Sequence, residues 1–83
     1  MNKYTVYIIR TDKNTLYTGQ TNDLGKRFKK HQSGKGAKYL RAFNNFRIVY
    51  QEEFKTLSEA LKREYEIKQM TKKQKEVLVK KLF

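Results

Sequence analysis

Two short stretches near the start of the chain carry a β-type pattern, Thr5-Val6-Tyr7-Ile8-Ile9 and Leu16-Tyr17-Thr18-Gly19. Both are built from β-branched and aromatic residues, and Asp12 and Asn14 lie in the link between them, where they favour a turn. The pattern predicts a hairpin with strands over about Tyr4 to Arg10 and Leu16 to Thr21. Side-chain alternation puts Thr5, Tyr7 and Ile9 on one face of the first strand, and Tyr17, Gly19 and Thr21 on one face of the second. With those faces in register the two phenols lie side by side, and Gly19 leaves a gap where a backbone or ligand can approach.

The period then changes. Leu24, Phe28 and His31 recur at helical spacing, so a helix is expected to about Gln32, with Thr21, Asn22 and Asp23 as candidate caps. Its apolar face docks on the sheet, and Arg27 stands beside that face, one turn before His31. Ser33-Gly34-Lys35-Gly36 ends this helix as a flexible basic loop, with Gly34 as a left-handed cap. It lacks the spacing of a phosphate-binding P-loop. Ala37 to Phe43 reads as a short helix that buries Tyr39 or Leu40. Asn44-Asn45 marks a turn, and Phe46 to Gln51 reads as a third strand with Phe46, Ile48 and Tyr50 facing one way.

Thr56-Leu57-Ser58-Glu59 fits a capping box opening a helix to about Met70. Leu57, Ala60, Leu61, Glu64 and Lys68 fall along one stripe of it, with the acid near the centre. Thr71-Lys72-Lys73-Gln74 repeats the capping pattern, so a last helix is expected over Lys72 to Leu82, with Leu78 and Leu82 packing back. No repeat, linker or low-complexity segment interrupts the chain. One domain over residues 1–83 is expected.

Composition narrows the chemistry. With 83 residues the chain has room for one modest core, and with no cysteine it offers neither a disulfide nor a thiolate metal site. The early apolar run, Val6 to Ile9, is far too short for a signal peptide or a membrane span, so a soluble, cytoplasmic protein without membrane contact is expected. Twenty Lys and Arg against eight Asp and Glu give a formal charge of +12. Position matters more than the sum. No acid occurs from Leu24 to Gln51, while Lys26, Lys29, Lys30, Lys35, Lys38 and Arg41 all fall there beside Arg27 and Arg47. That unbalanced field suits a polyanion such as nucleic acid, ahead of the plain alternative of a lysine-rich solvated surface.

Two titratable side chains stand on apolar stripes, and each has an ordinary explanation beside a functional one. His31 can be a hydrogen-bonded core residue or a member of a site. Glu64 can be an i, i+4 partner of Lys68 or a metal ligand, because an acid on an apolar face is costly unless paired or metal-bound.

The sequence T-V-Y, then nine residues, then Y-T-G resembles the signature of the GIY-YIG nuclease superfamily, with Thr5 in place of the first glycine and Thr18 in place of the isoleucine. The further segments R-F-K-K-H-Q-S-G-K-G-A-K and E-A-L-K-R-E-Y-E-I-K resemble the small stand-alone members. The resemblance implies an α/β fold, a small three-stranded antiparallel sheet flanked by helices in β-β-α-β-α order. It implies Tyr7, Tyr17, Arg27, His31 and Glu64 as site residues, with Glu64 as the metal ligand. The asparagine that many family nucleases carry after the acidic helix has no counterpart, since no Asn occurs beyond Asn45.

The resemblance, through that set, implies phosphodiester hydrolysis of DNA, ahead of RNA, with Mg²⁺ or Mn²⁺. A free phenol has a pKa of about 10 and is a poor base at neutral pH. Arg27, His31 and a cation are expected to favour its ionised form. Tyr17 would take a proton from water, with Tyr7 hydrogen-bonding or sharing that role, while Arg27 holds phosphate oxygens. A single carboxylate surrounded by waters suits magnesium. Two other readings stay open: a nucleic-acid-binding module of the same fold without catalysis, and a small basic adaptor for an acidic protein. Oligomeric state and DNA preference are not legible in the sequence.

Overall fold

Val6, Ile8 and Ile9 are fully buried, which makes the first strand the centre of the sheet rather than its edge. The computed structural model describes residues 3–81. Strands β1 (Tyr4–Thr11), β2 (Leu16–Thr21) and β3 (Phe46–Phe54) form one antiparallel sheet in the order β2-β1-β3. Helix α1 (Leu24–Gln32) and a 3₁₀ turn (Lys38–Ala42) connect β2 to β3, and α2 (Leu57–Lys68) and α3 (Lys72–Lys80) follow. The expected helix end at Leu82 lies outside the described residues.

The hairpin turn closes through Asn14, which adopts a left-handed φ of 63°, a conformation that its short amide side chain tolerates. Its carboxamide oxygen accepts from Arg10 at 2.6 Å. The strand register pairs Tyr7 with Gly19 and Ile9 with Tyr17, so the two phenols are diagonal neighbours rather than directly opposite.

Each face of the sheet carries its own core. Tyr7, Ile9 and Leu40 are buried on one face, with Tyr17, Leu24, Phe28, Phe46 and Ile48 against them. Val6, Ile8, Val49, Tyr50, Ala60, Ile67 and Val79 form the other, beneath α2 and α3. The expectation that Tyr50 shares a face with Phe46 and Ile48 is corrected here. β1 pairs Ile9 with Ile48 but Ile8 with Tyr50, so Val49 is an extra residue in the ladder. That bulge reverses the alternation and sends Tyr50 to the opposite core.

The later helices start as expected. Thr56 with Glu59, and Thr71 with Gln74, form complete capping boxes, each cap stabilising its helix by about 1 kcal/mol. The docked face of α2 differs from the expected stripe. Ala60 and Ile67 are buried, whereas Leu57 and Leu61 are nearly half exposed. Ala60 and Ile67, seven residues apart and so on one side of the helix, join the core beneath it. Arg10 ties α3 to β1 through a two-pronged pair with Glu76, at 2.6 and 2.8 Å.

Candidate active site

The site is built on the α1 face of the hairpin. Tyr7 reaches it from the central strand with only 2% of its surface exposed. The space it occupies exists because residue 19 is glycine. A Cβ built at Gly19 would stand 2.6 Å from the Tyr7 Oη and 2.7 Å from its Cζ. The gap expected there for a ligand is therefore filled by the phenol of the same protein.

Asp23 caps α1, accepting from the Lys26 backbone N–H at 3.1 Å. Of that helix only His31 is buried, and Leu24 and Phe28 join it on the sheet side. Both imidazole nitrogens are engaged. Nδ1 accepts from the Ala37 backbone N–H at 3.1 Å. Nδ1 therefore carries no proton, and the neutral ring has its hydrogen on Nε2. Nε2 lies 2.9 Å from the Tyr7 Oη, so His31 donates to the phenol oxygen, and the phenol's own proton is left to point elsewhere.

This arrangement corrects the expected electrostatics. Burial, then the nearby Arg27 charge, holds the His31 imidazole below its usual pKa, so it serves as a neutral donor rather than a cation. Burial first, then the second phenol at Tyr17, pushes the Tyr7 phenol up; the Arg27 charge pulls it down, and the Glu64 carboxylate pushes it further up. Desolvation wins over Arg27, and Tyr7 stays protonated at neutral pH.

Tyr17 is the accessible phenol. Its ring centroid lies 6.5 Å from that of Tyr7 and 5.8 Å from that of His31. Arg27 is exposed on α1 and lines a cavity with Gln20, Asn22 and Leu57. Glu64 approaches from α2, half-buried and 3.2 Å from the Lys68 ammonium. The ordinary i, i+4 pair with Lys68 thus coexists with the influence of the Glu64 charge on the Tyr7 phenol. Lys26, Lys29, Lys30, Lys35, Lys38 and Arg41 are all exposed. Among the described residues none of the six takes part in an ion pair.

The donor set fits a hard divalent cation held by one carboxylate. Lys68 already shows that positive charge is accommodated at Glu64. Both nitrogens of His31 are occupied, so it is not a ligand. Among the described residues no three His, Asp or Glu side chains cluster into a closed cage, and a cation here would keep most of its waters.

Three contributors were not legible in advance. Ala37 orients His31 through its backbone, which no side-chain pattern signals. Gly36 is required by room: a Cβ there would fall 2.2 Å from the His31 Nδ1. Of the two core candidates Tyr39 and Leu40, Leu40 is the buried one, which leaves Tyr39 46% exposed. Its ring stacks on Tyr17 at 6.0 Å and 15°.

Comparison with known proteins places this geometry in a family. A family model described as the GIY-YIG catalytic domain matches residues 3–77. The UPF0213 protein SERP0126 of Staphylococcus epidermidis is 51% identical over 75 residues, 90% of this chain and 92% of that protein. The solution structure of the UPF0213 protein BH0048 from Bacillus halodurans is 44% identical with a TM-score of 0.62, covering 94% of this chain and 83% of that one. The solution structure of the protein EF2693 from E. faecalis is 33% identical with a TM-score of 0.69, covering 99% and 88%.

Proposed function

Because the chain belongs to the GIY-YIG catalytic-domain family, a family of nucleases, we propose that it is a Mg²⁺- or Mn²⁺-dependent endonuclease that hydrolyses DNA phosphodiester bonds. The observation that carries the reading is the buried Tyr7–His31 hydrogen bond beneath an accessible Tyr17, within reach of the charges of Arg27 and Glu64.

Hydrolysis needs a water stripped of a proton and fixed charges aimed at the crowded phosphate. Tyr17 takes the proton in its ionised form, since its phenol is the accessible one and can first give its own proton to solvent. Tyr7 is too buried to ionise, so it acts as a positioned donor: His31 holds its oxygen from behind, and its own proton points toward the site. Arg27 meets the non-bridging phosphate oxygens. Glu64 holds the cation, which when bound supplies Lewis-acid stabilisation of the phosphate and leaving oxygen. The exposed cations from Lys26 to Arg41, free of ion pairs among the described residues, bind the flanking backbone.

If about five of those cations touch phosphates, log K falls with log salt at a slope of roughly −4 to −5. The test is binding of labelled DNA across a salt series, followed by cleavage with Mg²⁺, with Mn²⁺ and with a chelator. Metal-dependent nicking that the chelator stops is expected. Salt-sensitive binding without nicking on any substrate would support the non-catalytic module instead. Absent affinity at low salt would favour the basic adaptor.

A further inference from the structure

Resting on that reading, we infer that the segment between α1 and β3 is a subsite for one unpaired nucleobase beside the phosphate to be cut, so that the substrate is DNA with a single-stranded, bulged or frayed nucleotide. A large aromatic ring left open to solvent beside a proposed catalytic phenol is the starting observation. Tyr39 stacks nearly parallel on Tyr17, and Phe43 leans on Tyr39 at 5.2 Å between centroids. Both spacings are those of interacting aromatic pairs. The three rings form a continuous path leading away from the site.

The ring is fixed rather than swinging. Its Oη donates to the Thr15 Oγ1 at 2.8 Å, and Thr15 is bonded in turn to the Thr11 hydroxyl at 2.7 Å. A platform already held in place loses little freedom when a base stacks on it. The path ends at a cavity of about 350 Å³ between the end of α1 and the Asn44-Asn45 turn. Phe43 and Leu40 give it apolar walls, and Asn44 and Asn45 bring amides to its rim. Arg41, exposed and free of any ion pair among the described residues, lines it as well.

These are the elements that recognition of an unpaired base needs. A flat aromatic surface takes the π-face, and amide donors and acceptors meet the edge. A cation beside them meets the phosphate. A base inside a duplex cannot reach such a cavity without leaving the stack. Paired DNA thus meets only the basic surface, whereas a strand with a free base gains the platform in addition.

The experiment measures binding, in chelator so that no cleavage intervenes. The parent protein is titrated against fluorescent 2-aminopurine placed in a single strand, in a one-nucleotide bulge and in a fully paired duplex of equal length. Binding to the two unpaired forms is expected to be about tenfold tighter than to the duplex, a stacking-sized effect, with a change in 2-aminopurine emission. Tyr39→Ala and Phe43→Ala should each remove the preference, and Tyr39→Phe, which keeps the ring, should retain it. If Phe43→Ala does not fold, the double change of exposed Asn44 and Asn45 to Ala carries the test and should reduce the preference. Equal affinity for paired and unpaired forms in the parent would overturn the subsite while leaving salt-dependent duplex binding intact. A preference surviving in the folded alanine variants would overturn it too. Loss of all DNA binding would remove both the subsite and the reading it rests on.

Discussion

Gly36→Ala should break the lock that sets the proton position at the site. A Cβ at residue 36 would lie 2.2 Å from the His31 Nδ1 and 2.9 Å from both its Cα and backbone nitrogen. The loop must retreat by roughly 1 Å, which stretches the 3.1 Å bond from the Ala37 N–H beyond hydrogen-bonding reach. Overpacking and a lost buried hydrogen bond together predict a cost of about 1–3 kcal/mol at pH 7.5. The loss should depend on pH. Burial and Arg27 hold the parent's His31 below its usual pKa. The unfolded chain therefore binds more protons than the native one as pH falls below about 6.5, and the parent loses stability there. In the variant Nδ1 no longer faces a donor and can accept a proton, so His31 titrates higher and the acid loss shrinks. The stability gap between the two proteins should thus narrow from pH 7.5 to pH 5. Urea unfolding at both values, with NMR titration of the imidazole, measures each part. Equal stability at pH 7.5 within about 0.5 kcal/mol, with the same His31 titration, would refute the lock.

Two further tests separate neighbouring groups. Tyr17→Phe should lower single-turnover cleavage by about 10²- to 10⁴-fold, the usual loss with a general base, while leaving stability nearly unchanged. Tyr7→Phe should cost only about tenfold in rate but about 1–3 kcal/mol in stability, because the buried Nε2–H of His31 loses its acceptor. The reverse pattern would exchange the two roles. On the opposite face, hydrogen bonds from Arg10 hold the Glu76 carboxyl down to about 2, against an ordinary 4.5. A depressed carboxyl stabilises the fold above about pH 4.5 and loses that effect as pH falls toward 2. Allowing for solvent screening at this partly exposed pair, Glu76→Gln should cost about 1–2 kcal/mol at pH 7 and nothing near pH 2, read by urea unfolding at each pH.

The parts of the fold legible in the sequence are those set by local periodicity. Alternation in Thr5–Ile9 and Leu16–Thr21 predicts the hairpin, and the spacing of Leu24, Phe28 and His31 predicts the docked face of α1. Thr56 and Thr71 mark helix starts because capping is a short-range event. The departures arise where tertiary fit overrides the local pattern. One extra residue at Val49 reverses the facing of Tyr50, and no composition signal marks it. On α2 Ala60 is buried as its stripe predicts, but Leu57 and Leu61 on the same stripe stay nearly half exposed and Ile67, off it, is buried. At the site, the neighbouring placement of the Tyr7, Tyr17 and His31 rings was legible in the pattern, and their electrostatics were not. Whether His31 works as a cation or a neutral donor depends on a backbone N–H from a loop, and whether Tyr7 ionises depends on how deeply it is buried.

The central claim, that hydrolysis is carried out at the cluster of Tyr7, Tyr17, Arg27, His31 and Glu64, is tested most directly at the acid. Supercoiled plasmid should be nicked by the parent protein in Mg²⁺. Glu64→Gln is nearly isosteric and removes the charge that holds the cation. It should bind the same DNA within about twofold in chelator, since the basic surface is untouched, yet show no metal-dependent nicking above background. A folded Glu64→Gln that nicks as fast as the parent would contradict the account and leave Glu64 as the partner of Lys68 alone.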